Sequence, residues 1–484
     1  MNNGTLMQYF EWNLVNDGKH WQRLKDDAEH LKEIGITAVW LPPCFKASNQ
    51  DDVGYGIYDL YDLGEFNQKN TIRTKYGTKK ELKATIDALH EVGIQVYADV
   101  VLNHKAGADY TENFLAVPVD ENDRHHEIGE VREIEAWVGF DFPGRKGLYS
   151  DFKWHWYHFS GIDHDVRSGD NSIFKIQGEF KDWADDDAVD NEKGNFDYVM
   201  FADIDYDHPE VVEETLNWLT WFVEETGIDG MRIDAAKHID TAFNKKFIDT
   251  ARQEFGEDFF FVAEYWDGDY QSLLDFLDSQ QFDSHIFDSL LHFRLAEVSQ
   301  GTADVDIRKL AEDTIMSRHP TLAVTFVSNH DTQLGQSLES SVESWFIPSA
   351  YGWILLNAEG YPCIFYADYY GFNDEESEHT EVLDKLLYLR QNYAYGPQVD
   401  YFDHKNVIAF LRQGNEEHPS PLVAVFSNGD AGEKDVFIGE EWAGKAFYDY
   451  LGFVEGRIYV DDAGSGRFKV SSGSLSCWIP LEED

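Results

Sequence analysis

Polar side chains stand at the ends of several strongly apolar stretches of this sequence. Four such stretches end in residues 99–104, 230–238, 263–266 and 328–331. A charged residue beside an apolar strand is costly to bury unless it has a partner or a task. A single one is more often a structural ion pair or a loop cap. Three carboxylates and three histidines in such positions favour chemistry instead.

The spacing of Arg232 and Asp234 predicts that their side chains are neighbours. Residues two apart on a strand point to the same face, so the two side chains should meet. We expect the guanidinium to lower the pKa of Asp234 and to keep this carboxylate ionised. An ionised carboxylate beside a protonated one is the arrangement that cleaves glycosidic bonds. One attacks the anomeric carbon, and the other protonates the leaving oxygen and then activates water.

Helix–glycine–strand units must position these residues. Three helical runs end at residues 33–36, 91–94 and 225–228 in Glu-X-Gly-Ile, and an apolar strand follows each of them. Glycine at a helix end permits the left-handed turn that terminates the helix. Repeated units of this kind indicate parallel βα architecture. Eight strands fit a closed (β/α)8 TIM barrel better than a doubly wound sheet. The predicted strands are residues 6–12, 37–41, 95–102, 230–234, 259–266, 286–291, 322–329 and 362–366.

Two regions depart from the βα pattern. Residues 104–207 lie between the third and fourth predicted strands and are too long for one βα repeat. Their many aspartates and aromatic residues, in an irregular pattern, predict an inserted β-rich domain. After about residue 395 the alternation in 407–412 and 422–426 predicts an antiparallel β domain. The predicted division is barrel 1–103, insertion 104–207, barrel 208–395 and C-terminal domain 396–484, packed as one body.

Charge and composition exclude several classes of partner. The 484 residues include 39 Lys and Arg against 91 Asp and Glu, a formal net charge of −52. Such a field repels nucleic acid and anionic lipid. We find no apolar run long enough to span a membrane and no secretory leader, so we predict a cytoplasmic protein, with a secreted mature form left open. The three cysteines are far apart, lack zinc spacing and are expected to be buried free thiols.

Taken together, the four polar-ended stretches resemble the conserved regions of the α-amylase family of glycoside hydrolases, and they occur in the family's order. Residues 8–12, 54–59 and 360–371 add family-like strings, so the resemblance runs from about residue 5 to the C-terminus. It implies a catalytic barrel, a domain inserted after the third strand and a C-terminal antiparallel β-sandwich. It also implies endo-acting, retaining hydrolysis of α-1,4-glucosidic bonds in starch, glycogen and maltodextrins.

The same resemblance implies roles for the matching positions. Asp234 would be the nucleophile and Glu264 the acid/base. Asp331 would hold hydroxyls of the sugar at the cleavage point and help to keep Glu264 protonated, because like charges disfavour ionisation. The implied substrate contacts are Tyr55, His104, Arg232, Lys237, His238 and His330.

A calcium ion is implied as well. Its oxygen ligands would be Asn103, Asp197, Asp203 and the backbone carbonyl of His238. By composition alone, acidic loops in so acidic a chain are more often solvated surface. Secreted bacterial relatives carry an aspartate where this chain has Ser160, and that aspartate helps them to hold several ions. We therefore predict one structural calcium ion and doubt a second; the residues that could hold a second are Asp186, Asp205 and Asp207.

Two other functions remain open from the sequence. A transglycosylase or an isomerising glucosyltransferase of the same superfamily would share the three acidic residues and differ in loops on the acceptor side. A non-catalytic carbohydrate-binding or transporter-accessory homologue would usually lack some of these residues and carry a membrane segment. Asp234, Glu264 and Asp331 are all present, which favours an enzyme. We expect a monomer that acts on an α-glucan.

Overall fold

Eight parallel strands close into a barrel in the computed structural model, which describes residues 3–179, 181–372 and 375–481. Each strand pairs with its neighbours in sequence, and the first pairs with the last. This arrangement confirms the predicted TIM barrel. The strands are β1 (Leu6–Gln8), β2 (Ala38–Leu41), β3 (Gln95–Val100), β4 (Gly230–Ile233), β5 (Phe260–Ala263), β6 (His285–Phe287), β7 (Ala323–Phe326) and β8 (Tyr361–Phe365).

Helices surround the barrel and return the chain from one strand to the next. Thr78 and Glu81 form a capping box at the start of α2 (Lys79–Glu91), with both reciprocal hydrogen bonds present. Gly227 ends α3 with φ +73°, the left-handed conformation expected from the Glu-X-Gly-Ile pattern. The helices are α1 (His20–Glu33), α2 (Lys79–Glu91), α3 (Pro209–Thr226), α4 (Thr241–Phe255), α5 (Tyr270–Ser279), α6 (Ser289–Gly301), α7 (Ile315–Arg318), α8 (Ile347–Leu356), α9 (Tyr366–Tyr370) and α10 (Thr380–Asn392).

The sixth predicted strand was placed too far along the chain. The sequence predicted residues 286–291, but the strand ends at Phe287 and Ser289 already begins α6. Asp288 separates them because its side chain accepts a hydrogen bond from the backbone N–H of Leu291 and caps the helix. Four other predicted strands, 6–12, 95–102, 259–266 and 322–329, extend two or more residues past the observed carboxyl ends, into loops that carry most of the polar residues.

The region after β3 contains a six-stranded antiparallel sheet. Its own apolar core includes Phe114, Ile134, Phe159 and Phe174. The strands are His104–Lys105, Tyr110–Val119, Arg132–Gly139, Phe159–Ile162, Ile173–Ile176 and Ala202–Ile204. The first and last of these strands pair with each other, so the inserted sheet begins and ends side by side shortly after the end of β3. A separate pair of short strands, Lys46–Ala47 and Ile57–Asp59, precedes it.

The C-terminal region is antiparallel throughout, as predicted. A six-stranded sheet is formed by Gln398–Tyr401, Val407–Arg412, Leu422–Ser427, Ser474–Pro480, Ala446–Asp449 and Arg457–Tyr459, in that order. A two-stranded sheet, Gly432–Phe437 with Ser465–Val470, covers one of its faces through Val436 and Phe468. On the other face Trp353 of α8 contacts Phe410 and Phe426, so the barrel and this sheet share one core.

Two smaller expectations concern the cysteines and membrane segments. Cys44, Cys363 and Cys477 are buried free thiols, as predicted. No helix among the described residues is both long and apolar enough to cross a membrane. The division of the chain at residues 103, 207 and 395 stays a prediction.

Candidate active site

The strand ends open into a cleft of about 440 Å³ between the barrel and the inserted sheet. Eight of the nine residues predicted to act on or bind substrate line this cleft: Tyr55, His104, Asp234, Lys237, His238, Glu264, His330 and Asp331. Arg232, the ninth, lies buried beneath the floor. Further residues that line the cleft and were not predicted are Trp12, Glu192, Phe196, Val199, Met200, Ala235, Trp266, Ser337 and Leu338.

Arg232 joins the carboxylates of three neighbouring strands. Its Nη1 donates to Asp234 Oδ1 at 2.6 Å and to Asp99 Oδ1 at 2.8 Å, and its Nη2 lies 2.7 Å from Glu264 Oε2. β3, β4 and β5 are hydrogen-bonded side by side, which brings these residues to the same height on the barrel rim. A planar guanidinium with several fixed donors suits such a junction.

Asp99 is the functional residue that sequence reasoning passed over. Its side chain is fully buried and accepts hydrogen bonds from Trp40 Nε1 at 3.1 Å and Tyr55 Oη at 2.9 Å, besides those from Arg232. It therefore fixes both the guanidinium and the ring of Tyr55. Burial raises the pKa of Asp99 to about 7, while Arg232 opposes this rise. The sequence feature that could have identified Asp99 is a charged residue within an apolar strand, at the start of the stretch 99–104.

The carboxylates on the cleft floor have pKa values above their ordinary range. Burial raises the pKa of Glu264; Arg232 lowers it, and nearby Asp234 raises it further. The pKa of Asp331 is raised well above its usual value, first by burial and then by the charge of Glu264. We expected Arg232 to lower the pKa of Asp234. Arg232 does lower it, as predicted, but burial, which the sequence does not show, raises the pKa of Asp234 by more, so the net shift is upward.

The backbone after Asp234 helps to hold Glu264. Ala235 adopts φ +50°, a left-handed conformation that is uncommon for a residue other than glycine. Its N–H donates to Glu264 Oε2 at 2.9 Å, the same oxygen that Arg232 contacts. A hydrogen bond from Ala235 and an ion pair with Arg232 thus converge on one oxygen of this carboxyl group and fix its orientation.

Parallel aromatic rings form one wall of the cleft. Tyr55 lies flat against His330, with ring centroids 5.1 Å apart, and Trp12 lies parallel to both rings, 6.0 Å from Tyr55 and 6.1 Å from His330. Gln8 Nε2 donates to His330 Nδ1 at 3.1 Å, which leaves the proton of the neutral ring on Nε2, 3.2 Å from Asp331 Oδ2. Flat rings with polar edges suit the faces and hydroxyls of sugars.

The opposite side of the cleft carries a cation and a histidine. Lys237 Nζ donates to Glu192 Oε2 at 2.9 Å and to the Trp266 carbonyl at 3.2 Å. His238 Nδ1 donates to the Phe196 carbonyl at 2.7 Å, and burial lowers the pKa of this histidine to about 3. Both side chains are therefore held in fixed positions, and His238 is neutral near pH 7.

The residues predicted to bind calcium meet at the junction of barrel and insertion. Asn103, Asp197 and His238 line a cavity of about 10 Å³, room for one ion or water. Asp203 adjoins it, since Asn103 Nδ2 donates to Asp203 Oδ1 at 3.0 Å and Ser160 Oγ to Asp203 Oδ2 at 2.5 Å. Burial raises the pKa of Asp197 to about 7 and that of Asp203 well above its usual value. The donors are oxygen atoms, which suit a hard cation.

The three doubtful ligands of a second ion do not act as a group. Asp205 and Asp207 line the same small cavity, but Asp186 does not. Asp186 is 64% exposed and contacts Asn195 Nδ2 at 2.9 Å and His125 Nε2 at 3.2 Å. Asp186 therefore lies apart from the other two, and its part in a second ion site stays a prediction.

A histidine cluster of the inserted region has the composition of a metal site. One possible ligand atom from each of His158, His208 and Glu210 lies within 4.8 Å of the others. However, His158 Nδ1 accepts the backbone N–H of His155 at 3.0 Å. The neutral ring then carries its proton on Nε2, the nitrogen that faces Glu210, and cannot ligate a metal there. We assign no metal to this cluster.

Comparison with known proteins gives a consistent result. The family model for the α-amylase catalytic domain matches residues 16–397, and that for the α-amylase C-terminal domain matches residues 422–479. An α-amylase of Bacillus licheniformis is 48% identical over 482 residues, covering 99% of this chain and 93% of that protein. The cytoplasmic α-amylase of Escherichia coli K12 is 42% identical over 495 residues, covering 100% of both.

A solved structure shares the fold. The α-amylase of Geobacillus thermoleovorans, crystallised with acarbose, superimposes with a TM-score of 0.64 at 19% identity, covering 100% of this chain and 99% of that one. At that identity the likeness supports the architecture alone. With the family models and the two relatives, it leads to one assignment: this chain belongs to the α-amylase family of glycoside hydrolases.

Proposed function

We propose that this chain is an endo-acting, retaining α-amylase that cleaves internal α-1,4-glucosidic bonds by double displacement. The observation that carries the proposal is that Arg232 contacts both Asp234 and Glu264, and that these two carboxyl groups line the same cleft. The 48% and 42% identical relatives are named α-amylases, which favours hydrolysis over transglycosylation or a non-catalytic role.

Each carboxyl group has one oxygen engaged and one available. Among the described residues, hydrogen bonds reach Asp234 Oδ1 and Glu264 Oε2, and none reaches Asp234 Oδ2 or Glu264 Oε1. We assign Asp234 Oδ2 to attack on the anomeric carbon. Glu264 Oε1 then carries the proton that is passed to the leaving oxygen. In the second half of the reaction, Glu264 takes a proton from water, which attacks the same carbon and releases Asp234.

The pKa of Glu264 suits the role of the acid, and Arg232 supports the role of Asp234. Burial and the charge of Asp234 raise the pKa of Glu264, which keeps a proton available on the acid. Asp234 is the carboxyl group nearest to the guanidinium Nη1, and Arg232 opposes the rise caused by burial. Arg232 therefore favours the ionised form of Asp234 that the attack requires, against the effect of burial.

The remaining residues bind and orient the sugar. Tyr55, parallel to His330, offers an aromatic face at the cleavage point, and Asp331 beside it would accept sugar hydroxyls. His104 lines the cleft and donates from Nε2 to the Tyr55 carbonyl at 2.9 Å, which fixes the orientation of its ring. On the other side Lys237 and His238 would contact the leaving part of the chain.

Calcium would be held by the oxygens of Asn103, Asp197 and Asp203 with the His238 carbonyl, and it would tie the insertion to the barrel. The family is generally calcium-binding. Asn103 follows β3, Asp203 lies in the last strand of the inserted sheet, and His238 lines both the small cavity and the cleft. The position of the cleft wall that carries His238 would then depend on the bound ion as well as on contacts between protein residues.

We also propose that the protein is a cytoplasmic monomer. Cell fractionation tests the location, and size-exclusion chromatography tests the oligomeric state.

A product time course tests the proposed function. The purified protein is incubated with soluble starch and with maltoheptaose, beside Glu264→Gln and the exposed control Glu257→Gln. We expect a rapid fall in starch chain length with mixed short products, abolished in Glu264→Gln and unchanged in the control. Products longer than maltoheptaose as the main species would instead favour a transglycosylase. Full activity in Glu264→Gln would contradict its assigned role.

A further inference from the structure

Three buried carboxylates line or adjoin the small cavity at the junction of barrel and insertion. Asp197, Asp203 and Asp205 are 6%, 1% and 7% exposed, respectively. Asp207 stands at the solvent edge and is within electrostatic range of Asp205. Buried charges of one sign destabilise a fold unless cations balance them. A single divalent ion would balance only two of these three carboxylates.

The third charge is met by a lysine. Lys181 Nζ forms an ion pair with Asp205 Oδ2, and the lysine side chain is only 5% exposed. Burying an ammonium is costly, so such a lysine requires a nearby acid. Asp207 is also within electrostatic range of Lys181, which therefore faces both acids that a second metal ion would use.

Ser160 contacts another carboxylate of the cluster, Asp203, without adding a charge. Its hydroxyl donates to Asp203 Oδ2 at 2.5 Å and contributes no negative charge. One divalent ion and one ammonium together balance the three buried carboxylates. A second divalent ion would have to displace the ammonium from Asp205.

We propose that Lys181 is a built-in cation that takes the place of a second metal ion beside Asp205 and limits this cluster to one calcium. The inference rests on the proposed calcium at Asn103, Asp197 and Asp203, and it concerns a residue outside that set. Lys181 would then supply part of the charge balance that a second ion would otherwise supply.

The test is the calcium stoichiometry of Lys181→Met, measured by equilibrium dialysis with metal analysis. Removing the ammonium leaves Asp205 and Asp207 facing each other across space that a cation can enter. We expect one bound calcium per chain in the unaltered protein and two in Lys181→Met. The melting temperature of the variant should fall in chelator and rise with calcium over a wider range of concentration than that of the unaltered protein.

Two control variants make the result specific. Lys175→Met removes another lysine of the insertion, whose Nζ lies 3.3 Å from Asp182 and 3.7 Å from Glu127, away from the cavity. It should leave the stoichiometry at one. The double variant Lys181→Met/Asp205→Asn removes both charges of the pair and should also bind one calcium.

Each outcome decides for or against the inference. Two ions in the unaltered protein, or an unchanged stoichiometry in Lys181→Met, would overturn it. If the unaltered protein bound none and Lys181→Met bound one, the proposed calcium site would fail while the role of Lys181 would stand. If Lys181→Met unfolds in chelator, refolding on addition of calcium supports the inference, and unfolding that calcium does not reverse opposes it.

Discussion

Two buried groups of three carboxylates lie within this protein, and they are neutralised differently. In the first, which we call the arginine cluster, Arg232 contacts Asp99, Asp234 and Glu264 directly. In the second, the cavity cluster, Asp197 and Asp205 line a small cavity and Asp203 adjoins it through Asn103. Lys181 contacts Asp205 alone in that cluster. A planar guanidinium can serve three partners at once, whereas an ammonium acts as a single point charge.

The difference separates the cluster that holds the proposed catalytic residues from the cluster that stabilises the fold around them. The arginine cluster has its cation supplied by the chain, so the relative orientation of Asp234 and Glu264 should not depend on calcium. The cavity cluster needs an exchangeable ion to complete its charge balance, so the wall that carries His238 should depend on calcium. Each prediction below alters one cluster and asks whether the other responds.

The largest effect is expected from removal of the nucleophile. Asp234→Asn keeps the shape of the side chain and loses its negative charge, so the first displacement cannot occur. We expect kcat on starch to fall by several orders of magnitude, with an unchanged circular dichroism spectrum and calcium response. Activity above a tenth of that of the unaltered protein would show that Asp234 is not the nucleophile.

Loss of the guanidinium should be the next largest effect, on stability as well as activity. Arg232→Met leaves three buried carboxylates without their cation, which costs about 3–5 kcal/mol when one partner of a buried pair is removed. Denaturant unfolding measures this loss. Because the arginine cluster contains no proposed ion site, added calcium should not restore it. A variant as stable as the parent would contradict the charge balance assigned to Arg232.

Removal of calcium should have a smaller effect that can be reversed. Chelation is expected to lower the melting temperature by several degrees, because a ligand that binds only the folded state adds about 2.7 kcal/mol at one hundred times its Kd. Scanning calorimetry measures the shift, and added calcium should reverse it. Asp203→Asn should abolish this response. A melting temperature that chelator leaves unchanged would remove the proposed ion from the cavity cluster.

The smallest predicted effect concerns pH. Lys237 lowers the pKa of Glu264, although less than Arg232 does. In Lys237→Met this pKa should rise, and the acid should keep its proton to higher pH. The basic limb of the pH profile of kcat should therefore move to higher pH, since it reports the acid in the enzyme–substrate complex. Lys245→Met on α4 serves as the control, and an equal shift there would show that the effect is not local.

The sequence was sufficient to predict the barrel because its signals are local. Glu-X-Gly-Ile ends three helices, and Gly227 takes the left-handed conformation that this pattern requires. The polar residues after the apolar runs could also be placed, since parallel strands end on one face of a barrel. The error at β6 was local too: Asp288 and Ser289 are a helix start, but the apolar residues that follow resemble a strand.

Contacts between distant residues could not be predicted. Asp99 is important because Trp40 and Tyr55 meet it from other parts of the chain. The pKa of Asp234 rises because its surroundings are buried, whereas the sequence shows only the neighbouring arginine. Lys181 looks like an ordinary lysine in an acidic loop until the fold brings Asp205 to it.

The anomeric configuration of the first product tests the central claim most directly. If Asp234 forms a covalent intermediate and Glu264 then activates water, two inversions at the same carbon retain the α configuration. Proton NMR in the first minutes of maltoheptaose hydrolysis, before mutarotation, should show the α anomer of the newly formed reducing end. Appearance of the β anomer first would contradict double displacement and the roles assigned to both residues.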